Sequence, residues 1–110
     1  MNSSVDQLWN DANTLQLAEV LVAIDNKTDM TNFLRDVMTE KEIIEISARL
    51  EAARMLKQGK TYVEIVQKTK LSTRTVARVR DWMQNGAGGY KQVLARLDEI
   101  HAHIPPVRAD

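Results

Sequence analysis

At 110 residues, with 44% hydrophobic content, two prolines and no cysteine, the chain excludes a disordered or collagen-like polypeptide, a disulfide framework, a cysteine-based zinc site and a thiol nucleophile. Its 15 basic and 15 acidic residues cancel, which taken alone argues against a nucleic-acid-binding chain. The distribution argues otherwise: eight basic side chains and one acid, Glu64, lie between Arg54 and Arg80, whereas residues 1–53 carry four basic against ten acidic ones. Positive charge is thus collected in one segment, as a phosphate-facing surface requires.

Neither a long apolar run nor a basic start followed by an apolar stretch is present, so no membrane span or signal peptide is expected and the cytoplasm is the expected location. One all-helical domain over residues 1–104 is expected, with a loose tail at 105–110 behind Pro105-Pro106. A domain of this size removes only about two-thirds of its unfolded surface from water, so self-association would add useful burial.

Strand-like alternation is nearly absent, and apolar residues recur at intervals of three and four. A first helix is predicted over about residues 5–24, with Leu8, Ala12, Leu15, Ala18 and Val22 on one stripe and a break at Asp25-Asn26-Lys27. Thr28 can cap a second helix to about Met38, with Phe33, Leu34 and Val37 as its apolar side. Thr39 and Glu42 have the spacing of a capping box, which opens a third helix to Gln58. That helix is apolar on two sides, Ile43, Ile46, Leu50, Ala53 and Leu56 on one and Ile44, Ala48, Ala52 and Met55 on the other, as expected of a central element. Gly59 supplies its stop. Thr61 and Glu64 form a second capping box at the head of a short fourth helix to Thr69. Lys70-Leu71-Ser72 is the turn, Ser72 caps a fifth helix to about Gln84, and a glycine-rich connector leads to a sixth from Tyr90 to about His103.

The segment at about 61–84 therefore reads as a helix-turn-helix, whose second helix can project into a groove of duplex DNA. At about 100° per residue, Val76, Val79 and Met83 share one side of that helix. Arg74, Ala77, Arg78 and Asp81 share the opposite side, flanked by Thr73 and Thr75. Guanidinium forks suit guanine edges, a small Ala77 permits close approach, and Arg74 and Arg78 are the expected base readers. Lys60, Lys68, Lys70 and Arg80 are expected to contact phosphates, and the hydroxyls of Ser72, Thr73 and Thr75 near the helix start phosphates or bases. Lys70 stands where such turns favour glycine, because the position adopts positive φ.

These residues carry a family resemblance. Thr39-x-x-Glu42, Ser47-Ala48-Arg49-Leu50, the stretch from Leu56 to Gly59, and Gln67-Lys68-Thr69 leading into Thr75-Val76-Ala77-Arg78 resemble the Trp repressor family. Arg49-Leu50-Glu51 with Gly59-Lys60-Thr61-Tyr62 and Glu64-Ile65 is similar to its uncharacterised Trp-repressor-like branch. The resemblance covers roughly Leu17 to Gln84. It implies a six-helix, intertwined homodimer, with two recognition helices about one DNA turn apart and an operator of approximate two-fold symmetry.

In the family's best-known member two arginines sandwich the indole of a tryptophan corepressor. The resemblance places those arginines at Arg49 and Arg78. It also puts Val79 where that member has a glycine and Trp82 where it has a serine, so the effector pocket of Arg49, Arg78, Val79 and Trp82 is crowded and tryptophan corepression is not expected. Read without the family, Arg49 is an ion pair with Glu45 one turn earlier and Trp82 is packing. His101 and His103, two residues apart on a helix, point to different sides and are not expected to bind metal. No phosphate loop, catalytic constellation or cofactor motif is found, so neither an enzyme nor a cofactor is expected. The rival reading is a helical protein-interaction module that keeps the helix-turn-helix shape without reading DNA.

Overall fold

A computed structural model describes residues 7–103, which contain six α-helices over residues 12–103 and no strand. The tail expected at 105–110 lies outside the described residues, as do Val5 and Asp6 of the predicted first helix. The chain divides into two compact units, the first ending at Ile43 and the second beginning at Ile44.

In the first unit, the predicted continuous helix at 5–24 is broken. Gln7 and Leu8 are helical, Trp9 and Asn10 turn, and α1 spans Ala12–Ala23. The cause is Asp11: its carboxylate accepts from the backbone N–H groups of Asn13 (3.0 Å) and Thr14 (3.1 Å), satisfying donors that a fresh helix start leaves free. The hydrophobic period runs through this break and hides it. The second helix, α2 (Lys27–Val37), is capped by Asn26 rather than Thr28; the Asn26 side-chain oxygen accepts from Asp29 N–H at 2.8 Å. Neither helix buries any residue. The apolar stripe of α1 is open, with Leu15 44% and Val22 84% exposed.

The Thr39–Glu42 capping box forms as predicted, with Thr39 N–H donating to Glu42 (2.8 Å) and Glu42 N–H to the Thr39 hydroxyl (3.1 Å). It opens α3 (Glu40–Lys57). At the other end, Gly59 takes φ 83°, Lys60 N–H reaches Met55 C=O and Gly59 N–H reaches Leu56 C=O, both at 3.0 Å. This paired arrangement satisfies the last carbonyls and turns the chain sharply toward α4 (Tyr62–Thr69).

The second unit holds the core. Both sides of α3 are used in its C-terminal half: Ala52 and Met55 pack with Ile65 and Val76, while Ala53 packs with Val79 and Leu94. Alanines at 52 and 53 let α4, α5 (Thr73–Asn85) and α6 (Gly89–His103) approach closely, and the β-branched side chains fill the space left. Lys57 Nζ donates to Asp98 at 2.8 Å and ties α3 to α6.

Lys70 has φ 64°, the left-handed conformation in which a side chain costs about 1 kcal/mol or more. We therefore expect Lys70→Gly to stabilise the fold by about 0.5–1 kcal/mol once the greater freedom of unfolded glycine is offset, and so to raise the denaturation midpoint. A lowered midpoint would contradict this reading of the turn.

Candidate nucleic-acid interface

The surface around α5 is built from its two ends inward. Thr61 opens α4 with a full capping box, its hydroxyl accepting from Glu64 N–H (3.2 Å) while Thr61 N–H donates to the Glu64 carboxylate (2.8 Å). That backbone hydrogen bond, with the Thr61 hydroxyl, holds Glu64 below its ordinary pKa and keeps its one negative charge engaged locally. Thr69 closes the helix by donating its hydroxyl to Ile65 C=O and accepting from Leu71 N–H. Ser72 then caps α5, accepting from Thr75 N–H and donating to the Thr75 hydroxyl, both at 3.0 Å.

Fully buried Val76 and Val79 lock one side of α5 into the core. The opposite side is consequently presented outward: Arg74, Ala77, Arg78 and Asp81 are all exposed, as are Ser72, Thr73, Arg80 and, on neighbouring segments, Lys60, Lys68 and Lys70. Thr75 is half-buried and its hydroxyl is committed to the cap. Arg74, Arg78 and Arg80 make no salt bridge among the described residues. Asp81 accepts from the Asn85 amide at 2.9 Å.

Not every expected phosphate contact is equally free. Lys68 lies 3.5 Å from Glu51, which also takes a two-pronged hydrogen bond from Arg54 at 2.9 and 3.1 Å. Glu51 was not singled out from the sequence, because its link to Lys68 joins residues 17 positions apart. The Arg54 hydrogen bond lowers the Glu51 pKa, and the Lys57 hydrogen bond lowers that of Asp98. Groups depressed in the folded state contribute stability above their unfolded pKa and lose it as pH falls through the folded value. Thermal melts should therefore decline on acidification from about pH 6 to about pH 3, and less steeply in Glu51→Gln. Equal acid sensitivity would exclude Glu51 as a contributor.

Of the four residues expected at an effector pocket, Arg49 and Trp82 lie together. Arg49 and Trp82 line a cleft of about 540 Å3 with Ile46, Leu50, Tyr90 and Val93, whereas Arg78 is not part of its wall. Val79 is fully buried against Ala53 and Leu94. The Arg49 guanidinium lies 5.9 Å from the Trp82 ring centroid, within cation–π range, and pairs with Glu45 at 2.7 Å. Its Nε is buried without a hydrogen-bond partner. Burial pushes the Tyr90 phenol pKa up, against the opposing charge of Arg49.

A capped eight-residue helix, a left-handed turn and a capped basic helix locked by two valines form a helix-turn-helix of the kind that DNA-binding regulators use. The family model described as Trp repressor protein matches residues 12–98, and the chain belongs to that family, one of DNA-binding regulators rather than enzymes. "Uncharacterized protein YerC" of Bacillus subtilis (strain 168) is 34% identical over 84 residues, covering 76% of this chain and 81% of that protein.

Two solved structures share the fold. A TrpR-like protein from Eubacterium eligens ATCC 27750 has a TM-score of 0.77 at 33% identity, covering 82% of this chain and 93% of that one. A candidate Trp repressor from Staphylococcus aureus has a TM-score of 0.80 at 32% identity, covering 88% and 96%. No helix among the described residues is long and apolar enough to cross a membrane.

Proposed function

We propose that the protein is a sequence-specific DNA-binding transcriptional regulator of the repressor type, acting in the cytoplasm as a homodimer. The observation that carries the reading is the outward face of α5, where Arg74, Ala77 and Arg78 stand exposed and free of salt bridges opposite buried Val76 and Val79. Exposed arginine forks on a braced helix match the donor and acceptor pattern of the major groove. Lys60, Lys68, Lys70, Ser72, Thr73 and Arg80 surround that face as backbone contacts.

The homodimer is supported by what one copy leaves uncovered. Leu15, Leu17, Val20 and Val22 of α1 are 39–84% exposed, apolar surface that packing against a second copy would remove from water. Two copies related by two-fold symmetry would set two α5 helices against successive turns of the groove.

Tryptophan is not its corepressor in this reading. Val79 occupies the core and Trp82 takes Arg49 as its own partner, so an added indole finds neither the space nor the guanidinium pair. Selection of bound duplexes from a random pool, with and without L-tryptophan, tests both parts. One enriched, approximately palindromic motif is expected, bound with equal affinity in both conditions. Tryptophan-dependent enrichment would overturn the second part. Absence of any bound duplex at low salt would favour a protein-interaction module instead.

A further inference from the structure

We infer that Lys60 and Arg80 form one phosphodiester clamp on the flank of α5, gripping a single DNA backbone phosphate jointly and apart from the base-reading face. The inference rests on the DNA-binding reading and specifies how the recognition helix is held in register. By helical rotation, Arg80 lies about 120° from Arg74 and about 160° from Arg78, so it cannot share their face. It is delivered instead to a cleft of about 390 Å3 whose polar lining is Lys60, Tyr62 and Gln84 and whose apolar floor includes Leu56 and Met83. Lys60 reaches the same cleft because Gly59, at φ 83°, and the Lys60 N–H to Met55 C=O hydrogen bond turn the chain there.

The charge pattern calls for an anion. No carboxylate lines the cleft; the adjacent Glu64, whose carboxylate accepts from Thr61, attracts Lys60 from outside that lining. Three other cations of the basic segment have an acidic partner within the fold, Arg54 and Lys68 sharing the single Glu51 carboxylate and Lys57 meeting Asp98. Lys60 and Arg80 form no salt bridge among the described residues and face one space, an arrangement that is repulsive until an anion enters.

The occupant follows from dimensions. A helix with its side chains is about 10–12 Å across and the major groove about 12 Å wide, so when Arg74 and Arg78 enter the groove the flanks of α5 meet the bordering strands. An arginine fork and a lysine point charge converging from two elements suit a tetrahedral phosphate, with the Tyr62 hydroxyl and Gln84 amide as further donors.

The test replaces backbone phosphates of the selected duplex, one position at a time, by uncharged methylphosphonate. It compares wild type, the Lys60→Gln/Arg80→Gln double variant, and Lys91→Gln as a control for lost charge elsewhere, with circular dichroism to establish that each is folded. Wild type and the control should lose affinity at each contacted phosphate, with one position per half-site, the one held by Lys60 and Arg80, costing about ten- to a hundredfold, the scale of a lost charge-assisted contact. The double variant should already be weakened by that factor on the unmodified duplex, indifferent at that position, and unchanged in sequence preference. If it binds the unmodified duplex as wild type does, or stays sensitive at every position where wild type is, the clamp is overturned while the regulator reading stands. If wild type binds no duplex, both fall together.

Discussion

Replacing Ile65 with alanine should cost about 2–5 kcal/mol of stability, the range for removing a large aliphatic side chain from a close-packed interior. Ile65 is fully buried and packs with Ala52 and Met55 of α3 and Val76 of α5, with Leu56, Tyr62, Val66 and Leu71 around them. Deleting its branched end leaves a void bounded by three helices whose caps and turn hold the backbone in place, so collapse into the void is limited. Against a total stability of about 5–15 kcal/mol the loss is large. Because Ile65 braces α5, duplex binding should fall with the folded fraction. Val63 on the same helix is 67% exposed, and its alanine variant should change stability by less than about 0.5 kcal/mol. Urea denaturation of the two variants side by side checks the contrast, and equal midpoints would contradict the assigned core.

Arg74→Ala and Arg78→Ala should each weaken binding to the selected duplex by about 1–3 kcal/mol and relax preference at the base each one reads. Neither should alter the melting temperature, since both side chains are exposed and make no salt bridge among the described residues. This pattern distinguishes a reading residue from a bracing one: Ile65→Ala loses stability and binding together, whereas the arginine variants lose binding alone. Equal weakening on specific and scrambled duplexes would reassign the arginine concerned to phosphate.

The helix-turn-helix was legible in the sequence because its signals are local. Thr61 with Glu64, Ser72 at the head of α5, and Val76 with Val79 all act within one helical turn, and each takes its predicted role. The positive φ of Lys70 was likewise legible from the turn geometry. Asp11 was missed because hydrophobic periodicity continues across it, while the decisive interaction is its own carboxylate capping Asn13 and Thr14. Asn26 displaced Thr28 as the cap because its amide oxygen sits three residues before Asp29 N–H, with the chain already extended at φ −143°.

Arrangements joining distant segments carried no sequence signal. The Glu51–Arg54–Lys68 network and the cleft shared by Lys60 and Arg80 exist only once α3, α4 and α5 have packed. Of the two arginines that the family resemblance singles out, Arg49 meets Glu45 and the Trp82 ring, and Arg78 is exposed on α5.

The most direct test of the central claim, that the outer face of α5 reads base sequence, is the affinity of the full-length protein for its selected duplex relative to a scrambled one at a fixed, physiological salt concentration. A ratio of about a thousandfold or more, the usual margin for a sequence-specific regulator, is predicted. Equal affinities for the two duplexes would contradict it.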